Sequence, residues 1–309
     1  MFIQSTKAKS ARLRYTLLCL TLVFFILLLT RRRELQQAAS NSLLFVANSL
    51  IPALFPFAVL SRFVLTASLL PCQNKLSQKA AELFHLAPTL LPAYLVGLFC
   101  GFPLGAYAAS SLYEAGLCEE KDAHRSAALA NNASAAFVFG AASLFQASNA
   151  GIVLFVSQTL ATLLVSICIK GKQKGTPTAF STTSPSYLAL ISDAIVKTAL
   201  AMLTLAAFVV FFSVLAQALL LVGLPKAILL LLEPTSAVRY AASLAENIGQ
   251  TLALSLASLA LGFSGCSIIL QTQALFQGTL SLSQHLFCRI AISLVSFAIT
   301  FLLASFFCG

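Results

Sequence analysis

From residue 15 onward the chain is a succession of apolar runs, separated by short stretches that hold almost all of its charge. The first run, residues 15–30 (YTLLCLTLVFFILLLT), contains no charged residue, no glycine and no proline. A soluble domain is about 25% charged, whereas here 9% of 309 residues are charged and 59% are hydrophobic. Too few charges remain to cover a water-facing surface. The expected fold class is all-α, a polytopic integral membrane protein of seven to nine apolar segments. In hydrocarbon a helix satisfies its own backbone groups, and an open strand does not.

The net charge of +10 is gathered at the ends of the apolar runs, in Arg31–Arg33, in Arg62, Lys75 and Lys79, and in Lys170, Lys172 and Lys174. A nucleic-acid-binding chain wants a continuous basic face with interleaved aromatics. Flanking clusters instead set topology against anionic lipid. The lipid bilayer is therefore the expected partner, and nucleic acid is not.

A basic N-terminus and first transmembrane helix occupy residues 1–40. Two units are expected at 41–170 and 193–309, joined by a polar linker at 171–192. The apolar segment 88–110 is broken by Gly101-Phe102-Pro103-Leu104-Gly105, and 247–270 is broken by Gly262-Phe263-Ser264-Gly265. Pairing GFPLGA (101–106) with GFSGCS (262–267), and Arg125 with Arg289, predicts that the units are repeats. If 88–110 enters and leaves on one side, Arg62, Lys75, Lys79 and the 170–174 lysines share the cytoplasmic side, and the second unit is inverted. The loop 223–246, whose Lys226 and Arg239 balance Glu233 and Glu246, then falls outside.

Glycine and proline breaks at membrane depth are tolerated where they border a site. The structural helix breaks expected are Gly101, Pro103, Gly105, Gly262 and Gly265. Beside them, Asn131, Asn132, Ser134, Ser264, Ser267 and Gln271 are the candidate substrate-binding residues. A carboxamide offers two donors and two acceptor lone pairs to a small polar solute. Such residues equally serve as hydrogen bonds between helices. Glu233, between a leucine run and Pro234, is a candidate coupling carboxylate or a helix cap.

Eight cysteines lie scattered without a CxxC pair, and three histidines lie far apart, so neither a metal nor any other cofactor is expected. No GxSxG, Walker or HExxH pattern occurs, and no enzyme is expected.

The stretches IPALFPFAVLS (51–61), LVGLFCGFPLGAYAASSLYEAGLCEEKDAHRSAALANNASAAFVFGA (95–141) and LGFSGCSIILQTQALFQGTLSLSQHLFCRI (261–290) resemble the sporulation integral membrane proteins that carry nucleoside-recognition (Gate) domains, YlbJ type. The resemblance implies a multi-pass cell-membrane protein of spore-forming bacteria. On that footing it is transporter-like, moving or sensing a small polar solute during spore formation or envelope assembly. The alternative is a non-transporting scaffold of a sporulation or envelope complex, as a homo-oligomer or in a membrane complex. Ala135 and Ala136 stand where the family pattern has a proline.

Overall fold

A computed structural model describes residues 2–67, 75–169 and 186–307. Every regular element among them is helical. In chain order the helices are α1 Phe2–Thr30, α2 Arg32–Phe45, α3 Ile51–Thr66, α4 Lys75–Leu83, α5 Leu91–Cys100, α6 Leu104–Glu114, α7 Glu120–Ala130 and α8 Ala135–Ala142. They continue with α9 Ala150–Cys168, α10 Tyr187–Leu221, α11 Leu229–Leu232, α12 Pro234–Ser243, α13 Ala245–Ile248, α14 Gln250–Phe263, α15 Gly265–Leu275 and α16 Leu282–Phe307. Four stretches are long and apolar enough to cross a membrane, namely Ala150–Cys168, Tyr187–Leu221, Gln250–Leu275 and Leu282–Phe307. The number reaches six if each of two sharply bent helix pairs is one span. The outer faces of α10 and α16 leave Leu188, Leu203, Phe287, Leu294 and Leu302 exposed, as a lipid-facing belt would be.

Several boundaries differ from those read in the sequence. The second apolar segment begins at Arg32 and runs to Thr66, joined through a π-helical turn at Val46–Leu50. That turn sends the Ile51 N–H to Val46 O and leaves Pro52 in the first turn of α3, where its missing N–H costs least. Arg62 is therefore buried on a helix rather than sitting in a loop. At Arg31 the chain turns by 94° between α1 and α2. The acidic stretch after Ala115 is mostly helical, because Glu120 and Asp122 fall in the first turn of α7, at the positive end of its dipole. The apolar stretch after Glu120 is broken at residues 131–134, between α7 and α8. Residues 223–246 fold into α11, α12 and part of α13 rather than a loop, and α10 already begins at Tyr187. The rest of the polar linker, with Lys170, Lys172 and Lys174, lies outside the described residues.

Side-chain contacts define two ends of the molecule. At one end Arg62 meets Glu114 and Asp193. Arg125 meets the Phe84 and Ile169 carbonyls there, and His124 meets Thr279. At the other end Asn149 donates to Phe307 O, and Phe145 and Ala150 cluster with Ala245, Ala253 and Ala304.

From the first end, α5 runs inward and α6 returns. Gly97 and Gly105 sit against one another and against Ala130, so close that an added Cβ on Gly105 would stand 2.5 Å from Gly97 Cα. This is a tight helical hairpin with its tip at Gly101-Phe102-Pro103. From the second end, α11 runs inward along the α10 face that carries Phe212 and Ala216, and α12 returns against α14. Its tip is Glu233. Between the hairpins pass two broken through-going elements, α7–α8 and α14–α15, backed by α9 and α16. GFPLGA thus forms a hairpin tip, whereas GFSGCS lies inside a passing helix, and the two are not equivalent positions.

Candidate functional site

The two breaks meet at the centre. α7 stops at Ala130 because Asn131 and Asn132 are poor helix formers whose side chains compete for backbone groups. Ser134 then restarts the helix as the cap of α8, its Oγ accepting from Phe137 N at 3.1 Å. The three carbonyls freed between the helices are each met by a different element. Ser264 Oγ donates to Asn131 O at 3.1 Å, the Phe102 N–H donates to Asn132 O, and Gln158 Nε2 donates to Ala133 O at 3.0 Å. Gly101, at φ +78°, packs so tightly on Ala133 and Ser134 that no side chain fits there.

The second break is shorter. Ser264 and Gly265 both adopt positive φ, and the span continues to Leu275 rather than folding back. Its freed carbonyl, Gly262 O, accepts from Arg289 Nη2, which also donates to Ser264 Oγ at 2.6 Å. Arg289 Nη1 lies 3.5 Å from Asn132 Oδ1, and Thr162 Oγ1 donates to the same oxygen at 2.9 Å. Asn131 Nδ2 donates to Thr272 Oγ1 at 2.9 Å. Arg289 is fully buried and has no carboxylate partner among the described residues. It faces the carboxyl end of α14, where the helix dipole supplies partial negative charge.

Each hairpin tip rests on one break. Phe102 holds Asn132, and the Leu232–Glu233 tip closes on Gly265, where an added Cβ would lie 3.0 Å from Leu232 O. The Glu233 carboxylate accepts from the Thr235 and Ser236 N–H groups, both at 2.9 Å, and so caps α12.

Beside this crossing lies a cavity of about 600 Å³. It is bounded by both hairpin tips, by the second halves of both broken elements, and by α2–α3 and α10. The helices α6, α8, α12 and α15 all begin at its wall. The sequence-predicted residues divide between these two places. Ser134, Ser267, Gln271 and Glu233 line the cavity. Asn131, Asn132 and Ser264 are sealed in the crossing, bonded to other parts of the chain and away from the cavity wall. Gly101, Pro103, Gly262 and Gly265 lie at or beside the breaks, while Gly105 lies in the hairpin contact.

Sequence reading missed Arg289, Gln158, Thr162 and Thr272 as site residues. Arg289 carried a usable signal, since an arginine inside an apolar run is functional until shown otherwise. Gln158, Thr162 and Thr272 carried none, because uncharged polar residues recur throughout these segments. A seam of Ser258, Ser296 and Thr300, linked at 2.5 and 2.7 Å between α14 and α16, is a helix contact of the ordinary small-residue kind. Among the described residues no group of three His, Cys, Asp or Glu is placed to hold a metal ion.

No protein-family model, no curated protein and no solved structure matches this chain.

Proposed function

We propose that this chain is a transporter-like, multi-pass cell-membrane protein that moves or senses a small solute through the central cavity. The observation that carries this reading is the convergence of two helical hairpins, coming from opposite ends, on two broken helices beside one cavity. Carriers built from inverted repeats place their site at such breaks. The first unit comprises α2–α3, the α5–α6 hairpin, α7–α8 and α9. The second comprises α10, the α11–α12 hairpin, α14–α15 and α16, in the inverted sense. In this pairing Gln158 on α9 and Arg289 on α16 play matching parts, each donating to a freed carbonyl of a broken helix. Six passes, two half-passes and α1 make nine apolar segments. The end with Arg62, Lys75 and Lys79 faces the cytoplasm by the positive-inside tendency.

Ser134, Ser267 and Gln271 meet the solute, the Asn131–Asn132–Ser264–Arg289 crossing holds the breaks, and Glu233 acts as a cap. What supports a role in spore formation or envelope assembly is the resemblance of the 51–61, 95–141 and 261–290 stretches to the Gate-domain sporulation proteins. The test needs no knowledge of the solute. A single cysteine replacing Ala135, in a cysteine-free chain, is treated with a membrane-impermeant maleimide in right-side-out and in inverted vesicles. A carrier that exposes its cavity alternately labels from both sides. Labelling from one side only, under every condition, supports the scaffold instead.

A further inference from the structure

The wall of the cavity is unlike that of a sugar or amino-acid site, in which polar groups surround the solute. Apart from a few polar groups it is hydrocarbon and aromatic ring, and Phe57, Phe99 and Leu144, which line it, are 61%, 53% and 49% exposed, so the cavity is open rather than enclosed. Its volume of about 600 Å³ falls within the roughly 300–1,000 Å³ of small-molecule sites.

The polar groups carry a sign. Arg239 is exposed, lines the cavity, and makes no ion pair or hydrogen bond among the described residues. Glu233, the carboxylate in the same wall, is spent on two N–H groups at the positive end of α12. The start of α8, whose Ser134, Ala135 and Ala136 line the cavity, adds the positive end of one more helix. Gln271, 2% exposed, also lines the cavity and has an oxygen without a partner. A ligand that suits this cavity has an apolar body, a negative group for Arg239 and a hydroxyl for Gln271.

We propose that the cavity binds an anionic membrane lipid, its chain among Phe57, Phe99 and Leu144 and its headgroup at Arg239. This rests on the solute-carrier reading for the lipid being cargo, but the binding itself does not.

The chain has no tryptophan, so a single introduced one reports its own surroundings. Val209→Trp places it in the cavity wall, and Leu203→Trp, at an exposed site on the same helix, reports bulk lipid. Each variant of the full chain, in phosphatidylcholine nanodiscs, is titrated with brominated phosphatidylglycerol or brominated phosphatidylcholine, and quenching is followed. Phe137→Trp, at a partly buried position in the same wall, replaces Val209→Trp if the latter does not fold.

The expected result is saturable quenching at the cavity position, favouring phosphatidylglycerol about fivefold, the worth of one arginine near anionic lipid. Arg239→Gln removes the preference and Arg239→Lys restores it. Equal quenching by both lipids, or no more quenching than at Leu203, overturns the proposal. So does release of the quench by excess sodium phosphate, which would assign the site to a free anion. One-sided labelling at Ala135 with selective quenching here would retire the carrier and keep the lipid site. The reverse pair of results would keep the carrier and retire the lipid.

Discussion

Arg289 is a fully buried cation with no carboxylate beside it, and its hydrogen bonds explain how the chain tolerates that. It supplies donors to Gly262 O and Ser264 Oγ, both buried out of reach of water. A buried acceptor left without a partner costs about 1–3 kcal/mol. Removing the charge relieves a desolvation cost of the opposite sign. The carbonyl belongs to a broken helix and has no second partner to turn to, so the loss should win. Arg289→Met is expected to lower the unfolding midpoint in detergent by the equivalent of about 1–3 kcal/mol. Arg289→Lys should fall between it and wild type, since an ammonium cannot fork to both acceptors. A midpoint that rises in Arg289→Met would mean that desolvation outweighs the hydrogen bonds.

At the scale of elements, the α5–α6 hairpin depends on the absence of side chains. Gly97 and Gly105 bring the two helices and Ala130 to backbone contact, and the atoms that a new Cβ would strike are main-chain atoms and the Ala130 Cβ, none of which can swing away. Gly105→Ala is expected to destabilise by about 1–3 kcal/mol, the usual cost of overpacking. Gly140→Ala, with open space around it, should instead gain about 0.5–1 kcal/mol from better helix propensity. Equal effects at the two positions in thermal unfolding would show that the close contact is not what holds the hairpin. The same hairpin is clamped from outside by Arg62, which reaches Ser111 Oγ at 2.5 Å, Glu114 at 3.6 Å and Asp193 at 3.5 Å, and lies over the Tyr107 ring. One buried guanidinium therefore ties α3 and α10 to α6, which is why a residue at the edge of an apolar run became interior.

For the whole molecule, the fold makes a prediction about sidedness. Ala115 and Ser281 sit between helices at the end where His124 meets Thr279, and Ser148 sits in the turn at the opposite end, beside Asn149 and Phe307. Single cysteines at Ala115 and Ser281 should label with an impermeant reagent from one side of the membrane, and a cysteine at Ser148 from the other. Labelling of Ala115 and Ser148 from the same side would mean that α7–α8 does not cross, and the inverted pairing of units would fall with it.

How much of this was legible in the chain depends on the range of the interaction. Helicity, the apolar spans and the existence of breaks follow from local chemistry: long apolar runs must be helical in hydrocarbon, and Gly101-Phe102-Pro103 and Gly262–Gly265 interrupt helices wherever they stand. The break at Asn131–Ser134 was written in the same local terms, in two asparagines followed by a serine cap, although the polarity of that stretch reads first as a binding motif. Which break answers which could not be read from composition. GFPLGA and GFSGCS are alike as strings, yet one turns a hairpin because Gly97, Gly105 and Ala130 pack its arms together, and the other only bends a passing helix. That outcome rests on contacts with partners distant in the chain, as do the sealing of Asn131, Asn132 and Ser264 by Thr162, Thr272 and Arg289 and the gathering of Ser134, Ser267 and Gln271 at the cavity. The sequence by itself determined that the helices would be apolar and that they would break at Gly101–Gly105 and Gly262–Gly265; the tertiary structure alone decided which polar groups satisfy one another and which are left facing open space.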